Sequence, residues 1–235
     1  MKTQMKTLKA WALVGLLGIP GLTAAAGSAD PLLFKFMADQ LEVWNDGNNT
    51  RSWDIFAWAG HDWNKVWVYS EGERSDGNTE SENMLLYGRP IAPFWDMQFG
   101  VGRDLNPDSG KSWAVVGVNG LAPYFFETQA HLLIGDRVAG LRTSVEYELL
   151  FTQFLILTPE LEMDWYSADI PEMGYGKGLS NVTAGLRLRY EIRREFAPYI
   201  GFQWSKNYGN TADFRRAAGE PIEESSFVTG VRVWF

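Results

Sequence analysis

The chain has 235 residues, a formal charge of −8, no cysteine, 14% aromatic residues and 24 glycines. Without cysteine there are no disulfides and no thiolate metal sites. The acidic balance argues against a nucleic-acid partner.

The N-terminal stretch MKTQMKTLKAWALVGLLGIPGLTAAAGSAD places Lys2, Lys6 and Lys9 ahead of one apolar run that ends in small residues. This reads as a secretory signal peptide over 1–29, with cleavage after Ala26 or Ala29. Its loss removes three lysines and no acid, which moves the charge to −11. Residues 30–235 are then expected to form one domain. No later run approaches the roughly 18 apolar residues of a membrane-spanning helix, so a membrane could be crossed only by strands. Abundant aromatics and glycines favour strands and tight turns.

A repeat sets the strand spacing. The segment IAPFWDMQFG at Ile91 returns 30 positions later as LAPYFFETQA at Leu121. One interval to either side lie His61-Asp62 and Thr152-Gln153, also between strand-like runs. Halfway between these points fall NDGNNT at Asn45, SDGNTE at Ser75, NPDSG at Asn106 and GDRVAG at Gly135. Asn-Gly and Asp-Gly steps supply positive φ at low cost. The period is therefore one hairpin of two strands of about 10 residues, the length a bilayer requires. Two longer-looped hairpins follow, with loops around 169–180 and 207–225 and a turn near 195–198. The expected fold is an all-β transmembrane antiparallel barrel of about twelve strands, or ten if the segments 34–44 and 53–60 do not pair.

Alternation assigns the faces. Leu141, Thr143, Val145, Tyr147 and Leu149 oppose Arg142, Ser144, Glu146 and Glu148; Leu157, Leu161, Met163 and Trp165 oppose Glu160, Glu162 and Asp164; Ala184, Leu186, Leu188 and Tyr190 oppose Arg187, Arg189 and Glu191. Phe227, Val231, Val233 and Phe235 share a face at the C-terminus, which resembles the assembly signal of Gram-negative outer-membrane barrels. The Ala-Pro turns then face the periplasm and the Asn/Asp/Gly loops face outward.

The polar faces line the lumen. They carry Asp54, Glu71, Glu73, Glu82, Asp96, Glu127, Glu146, Glu148, Glu160, Glu162 and Asp164, with Arg142, Arg187, Arg189 and Arg232. Buried charges must be paired, and Arg187 and Arg189 lie one strand from Glu160 and Glu162. Glu71, Glu73 and Glu82 lack an inward base nearby in sequence; Met84 and His131 face the same way. Carboxylate, thioether and imidazole suit a late first-row metal, copper above all. The plainer reading has Met84 packing and His131 as a hydrogen-bonded wall residue. Catalysis finds little support: His61 and His131 are the only imidazoles, no serine has the setting of a nucleophile, and His61-Asp62 suits turn chemistry.

The segments NKVWVYSEGE, LLYGRPIAPFWDMQFGVGRD, WAVVGVNGLAPYFFE, YELLFTQFLILTPELE, GLRLRYEIRREFAPYIGFQW and TADFRRAAGE together resemble the copper resistance protein B family, from about Phe34 to Phe235. The resemblance implies an outer-membrane barrel that binds copper or assists its exit from the periplasm, in contact with lipid and with periplasmic copper-handling proteins. Family members often carry a Met- and His-rich segment ahead of the barrel. Between the signal peptide and Asn64 this chain has only Met37 and His61, so a copper site is expected within the barrel. A passive channel for small cationic solutes is the alternative expectation.

Overall fold

The computed structural model of the protein describes residues 30–235, and the signal-peptide reading lies outside them. Twelve strands follow in chain order: β1 (Leu33–Trp44), β2 (Arg51–Gly60), β3 (Lys65–Ser75), β4 (Asn78–Ala92), β5 (Trp95–Leu105), β6 (Gly110–Ala122), β7 (Phe126–Ile134), β8 (Ala139–Glu146, resuming at Leu149–Leu150), β9 (Leu155–Tyr166), β10 (Gly178–Tyr190), β11 (Phe196–Asn207) and β12 (Glu223–Trp234). Each pairs antiparallel with the next, and β12 pairs with β1 to close the barrel. At the seam Phe36 and Phe235 exchange backbone hydrogen bonds of 3.0 and 2.9 Å, and their rings stack. The first two strands do pair, so twelve is the right number.

The anticipated turns at 61–64, 93–94, 123–125 and 151–154 lie at one end, with the loops at 45–50, 76–77, 106–109 and 135–138 at the other. The turn expected near 195–198 falls earlier, at 191–195. Phe196 already opens β11, and Pro198 is a strand residue opposite Val231. The last loop holds a helix, α1 (Gly209–Ala218), that the strand spacing did not disclose. The loop 167–177 also departs from a plain connection: it turns back into the barrel and buries Ile170 and Met173.

The two faces follow the alternation. Leu132, Leu141, Leu161, Leu186, Ile200 and Phe227 are exposed on the outside, whereas Arg187, Arg189, Thr158 and Gln98 are buried within. The inside is not uniformly acidic, however. Across β3–β8 it is filled by Trp67, Tyr69, Leu86, Trp113, Val115 and Leu133, with Tyr166 and the inserted loop residues packed against them. These side chains pack part of the lumen.

Glycines on the inner wall make room for the largest groups. At Gly88 a Cβ would come within 2.5 Å of Trp67 Nε1, and at Gly117 it would come within 2.4 Å of His131 Cδ2 and 2.5 Å of the Ala130 carbonyl oxygen. The overlap at Gly117 involves backbone as well as a buried ring. It outweighs the loss of unfolded-chain freedom by which Gly→Ala can otherwise stabilise. Gly117→Ala is therefore expected to destabilise by about 1–3 kcal/mol, visible as a lower temperature at which the folded, heat-modifiable barrel converts to the slower-migrating unfolded form on a gel.

Candidate functional site: the charged and aromatic lumen

Three groups of side chains line the lumen, and each is fixed by strand register. The first is centred on Arg187 of β10. Its Nε lies 2.7 Å from Glu42 Oε1, its Nη1 lies 2.5 Å from Glu160 Oε2, and its Nη2 donates to Gln40 Oε1 at 2.7 Å and Gln203 Oε1 at 2.9 Å. Tyr199 donates to the same Glu42 oxygen at 3.0 Å. The expected Arg187–Glu160 pair is thus present. The expected pairing of Arg189 with Glu162 is not: Arg189 bonds Glu148 and the Thr158 hydroxyl. Glu148 also receives Arg232, which pairs with Asp39 at 2.6 Å.

Glu42 and Asp39 were absent from the inward set read from sequence, and the reason is local. A register shift between Ala38 and Gln40 inserts an extra residue in β1. Such a bulge shifts the alternation beyond it, so that Phe36 points outward before it while Gln40 and Glu42 point inward after it. Simple parity along β1 would have assigned Glu42 correctly only by starting from its C-terminal end.

The second group is centred on Arg142 of β8. Its Nη1 lies 2.7 Å from Glu82 Oε2 and its Nη2 lies 2.7 Å from Asp104 Oδ2, with Tyr166 Oη at 3.1 Å from Nη2 and Asp164 Oδ1 at 3.9 Å from Nε. Trp113 Nε1 donates to Asp104 at 2.8 Å. Glu82 therefore has an inward base after all. Arg142 lies four strands along the wall and about sixty residues along the chain, which hid it from a search among sequence neighbours.

The third group is neutral. Gln98 Nε2 donates to Tyr69 Oη at 2.8 Å, and Asn119 Nδ2 donates to the same oxygen at 3.0 Å. The amide oxygen of Gln98 then faces His131 Nε2 at 2.8 Å, so Nε2 carries the ring hydrogen and Nδ1 is the bare nitrogen. The Tyr69 ring stands edge-on to the imidazole at 5.9 Å between centroids. His131 is thus a hydrogen-bonded wall residue.

Of the five residues singled out as metal donors, Glu71 and Glu82 are directly opposed across β3 and β4, as are Tyr69 and Met84. Met84 packs against the aromatic cluster. Glu73 lies opposite Glu80, toward the loop end of β3. His131 stands on β7, three strands from β4, beside Gln98 and edge-on to Tyr69, and Arg142 is its direct partner across β7 and β8. Among the described residues, no three of His, Asp and Glu are close enough to form one metal sphere. What the fold does gather is carboxylate charge: Asp54, Glu71 and Glu162 lie within one another's electrostatic reach and join none of the ion pairs. Asp54 and Glu71 are directly opposed on β2 and β3, and Glu162 sits next but one to Glu160 on β9.

The loop end of the barrel is covered by the loop 167–177. Ser109 Oγ donates to the Glu172 carbonyl at 2.6 Å, and Thr211 Oγ1 accepts from Gly176 N at 2.8 Å. Asp169 accepts from Lys177 N at 2.6 Å and from Asn210 Nδ2 at 3.0 Å, and these hydrogen bonds hold its carboxyl below the usual carboxylate range. A depressed acid supports the folded loop above its ordinary pKa and lets go only as the pH falls through the lowered value.

Comparison with known proteins places this architecture. The NanC porin superposes with a TM-score of 0.52 at 11% identity, covering 86% of this chain and 99% of that one, which supports the barrel fold alone. Copper resistance protein B of Escherichia coli is 45% identical over 203 residues, covering 85% of this chain and 68% of that protein. The copper resistance protein B homolog of Pseudomonas syringae pv. tomato (strain ATCC BAA-871 / DC3000) is 40% identical over 204 residues, covering 85% and 69%. The family model described as copper resistance protein B precursor (CopB) matches residues 32–235. With almost every described residue inside that match, the chain belongs to the copper resistance protein B family.

Proposed function

We propose that the protein is an outer-membrane copper-homeostasis barrel whose lumen attracts copper ions and helps them bind or leave the periplasm, without catalysing a reaction. The observation that carries this reading is the set of carboxyl groups at Asp54, Glu71 and Glu162 that join no ion pair, in a lumen where Glu42, Glu82, Asp104, Glu148 and Glu160 are held by arginines. Unpaired carboxylates in a wall of low dielectric repel one another, and a cation relieves the repulsion. Glu73 continues this set along β3, and Glu82, directly opposite Glu71 on β4, is already held by Arg142. Met84 and the bare Nδ1 of His131 add a thioether and an imidazole, the softer donors that distinguish copper from alkaline-earth ions. In this role copper is cargo, met by donors spread along the wall and handed on by, or taken from, periplasmic copper-handling proteins.

Copper tolerance of a deletion strain carrying the wild-type chain or variants tests the reading, with zinc and cadmium as controls. The Met84→Leu/His131→Asn double variant is expected to lower copper tolerance severalfold at unchanged barrel yield, with zinc and cadmium tolerance unmoved. Asp54→Asn/Glu71→Gln/Glu162→Gln should lower it as well. Wild-type tolerance in the double variant would remove Met84 and His131 from the path. Equal loss for all three metals would instead favour a passive channel for small cations.

A further inference from the structure

The short-turn end of the barrel carries a feature that copper handling does not use. Each of its turns presents a large apolar residue to the outside: Trp63 at 61–64, Phe94 at 93–94, Tyr124 and Phe125 at 123–125, Phe151 and Phe154 at 151–154, and Ile192 at 191–195. Phe94 is 76% exposed, Tyr124 83% and Phe125 74%. Among the described residues, none of the exposed large apolar side chains falls in the loops at the opposite end. The two ends therefore meet different surroundings.

Backbone conformation shows that these rings are not incidental. Phe94, Tyr124 and Phe125 all have φ of 68°, in the left-handed region that disfavours residues with a bulky side chain. Asn, Asp or Gly would relieve the strain, and the opposite end uses them at Asn49, Asp76 and Gly77, with Arg137 as its one positive-φ residue of another type among the described residues. Among the described residues, the rings of Phe94, Tyr124 and Phe125 take part in none of the aromatic pairs, so no ring contact accounts for the choice.

The height of the apolar band supplies the reason. On β11 the outward residues run from Phe196 to Trp204 before Lys206 pairs with Glu223. That is about 26 Å along the strand, or about 20 Å along the barrel axis at the usual tilt, whereas a membrane barrel needs a band of about 25 Å. On β5 the band is shorter still, ending at Arg103. It must be completed at the turn end. Charged residues are present at this end too: Arg89, outward and level with Met97, and Asp62, Arg193, Arg194 and Glu195 in the turns; long arginine stems can carry their guanidinium groups toward headgroups.

We propose that the short turns are seated in the headgroup region of the adjoining lipid leaflet, with Phe94, Tyr124, Phe125 and Phe151 as anchors, so that this end of the barrel is held flush with the membrane and does not stand in the aqueous phase. The ligand is the phospholipid interface, which takes aromatic side chains at this depth. The proposal goes beyond copper handling and needs only that the barrel spans a bilayer.

The absence of cysteine gives a clean background for the test. Single variants Phe94→Cys, Tyr124→Cys and Phe151→Cys, with Phe99→Cys on an outward strand position and Ala217→Cys on the helix of the opposite end as references, are labelled with bimane. They are then inserted into phosphatidylcholine vesicles whose acyl chains are brominated near the glycerol. Quenching at Phe99→Cys verifies that the barrel is in the bilayer. The three turn positions should be quenched at least twofold more than Ala217→Cys. Quenching no greater than at Ala217→Cys would overturn the proposal. So would turn cysteines that are unquenched in vesicles yet shielded in whole cells from an impermeant maleimide admitted to the periplasm, since a protein partner would then be covering them. If any turn variant fails to form the heat-modifiable barrel, Trp63→Cys reports on the same end.

Discussion

Arg187→Met is expected to cost about 3–5 kcal/mol of stability, measured as a lowered urea midpoint for unfolding from phospholipid vesicles. The arginine is the hub of β1, β9, β10 and β11, and its removal strands Glu42, whose side chain is 0% exposed, together with Glu160. A carboxylate so enclosed has no water to replace the lost guanidinium. Glu160→Gln keeps the shape and leaves Arg187 with Glu42, so it should cost distinctly less. Glu162 joins no ion pair, and its hydrogen bond to Glu160 can be kept by an amide, so Glu162→Gln should be near neutral. The contrast between two acids spaced two residues apart on one strand face separates the structure from the simpler expectation that Glu160 and Glu162 are both paired by β10. Equal losses for the two would show that their shared acidic surroundings, and not the pair with Arg187, control folding.

The barrel was readable in the sequence because its signals are local and periodic. Turn residues recur at hairpin intervals, and parity along a strand divides apolar from charged without any knowledge of neighbours. The period pointed to about twelve strands and left ten open, because whether 34–44 pairs with 53–60 is decided by contact between the segments, which the barrel makes. Features that depend on register between distant strands were not readable. The bulge at β1 moved Glu42 inward, and only then could it meet Arg187 across 145 residues. Arg142 reaches Glu82 and Asp104 from β8, so an acid that looks unpaired along the chain is paired across the lumen. The inward aromatics were legible in part: Trp67 and Tyr69 share parity with Glu71 and Glu73. Their packing with Ile170 and Met173 depends on a loop whose path no alternation encodes. The same limit applies to the donor set, because Met84 and His131 share a face with the acids while standing three strands apart.

The largest combined effect on fold and mouth is expected at Arg142. It holds Glu82 and Asp104 by direct ion pairs and touches the hydroxyl of Tyr166, whose ring stacks on Tyr175 of the covering loop at 4.7 Å and on Trp113 at 6.2 Å. Asp104 is almost fully buried and also receives the Trp113 indole N–H. Arg142→Leu therefore leaves two acids facing each other without a base and removes the polar support beneath the loop. The expected cost is about 3–5 kcal/mol, with faster proteolytic nicking within 167–177 as the local readout. Adding Glu82→Gln and Asp104→Asn to Arg142→Leu should recover most of the loss. A neutral set of similar volume carries no desolvated charge, and the amide oxygen introduced by Asp104→Asn can still accept from the Trp113 indole. The three changes are coupled, and their energies should be strongly non-additive. A triple variant as unstable and as readily nicked as Arg142→Leu alone would mean that the arginine acts through packing of its stem and not through its charge.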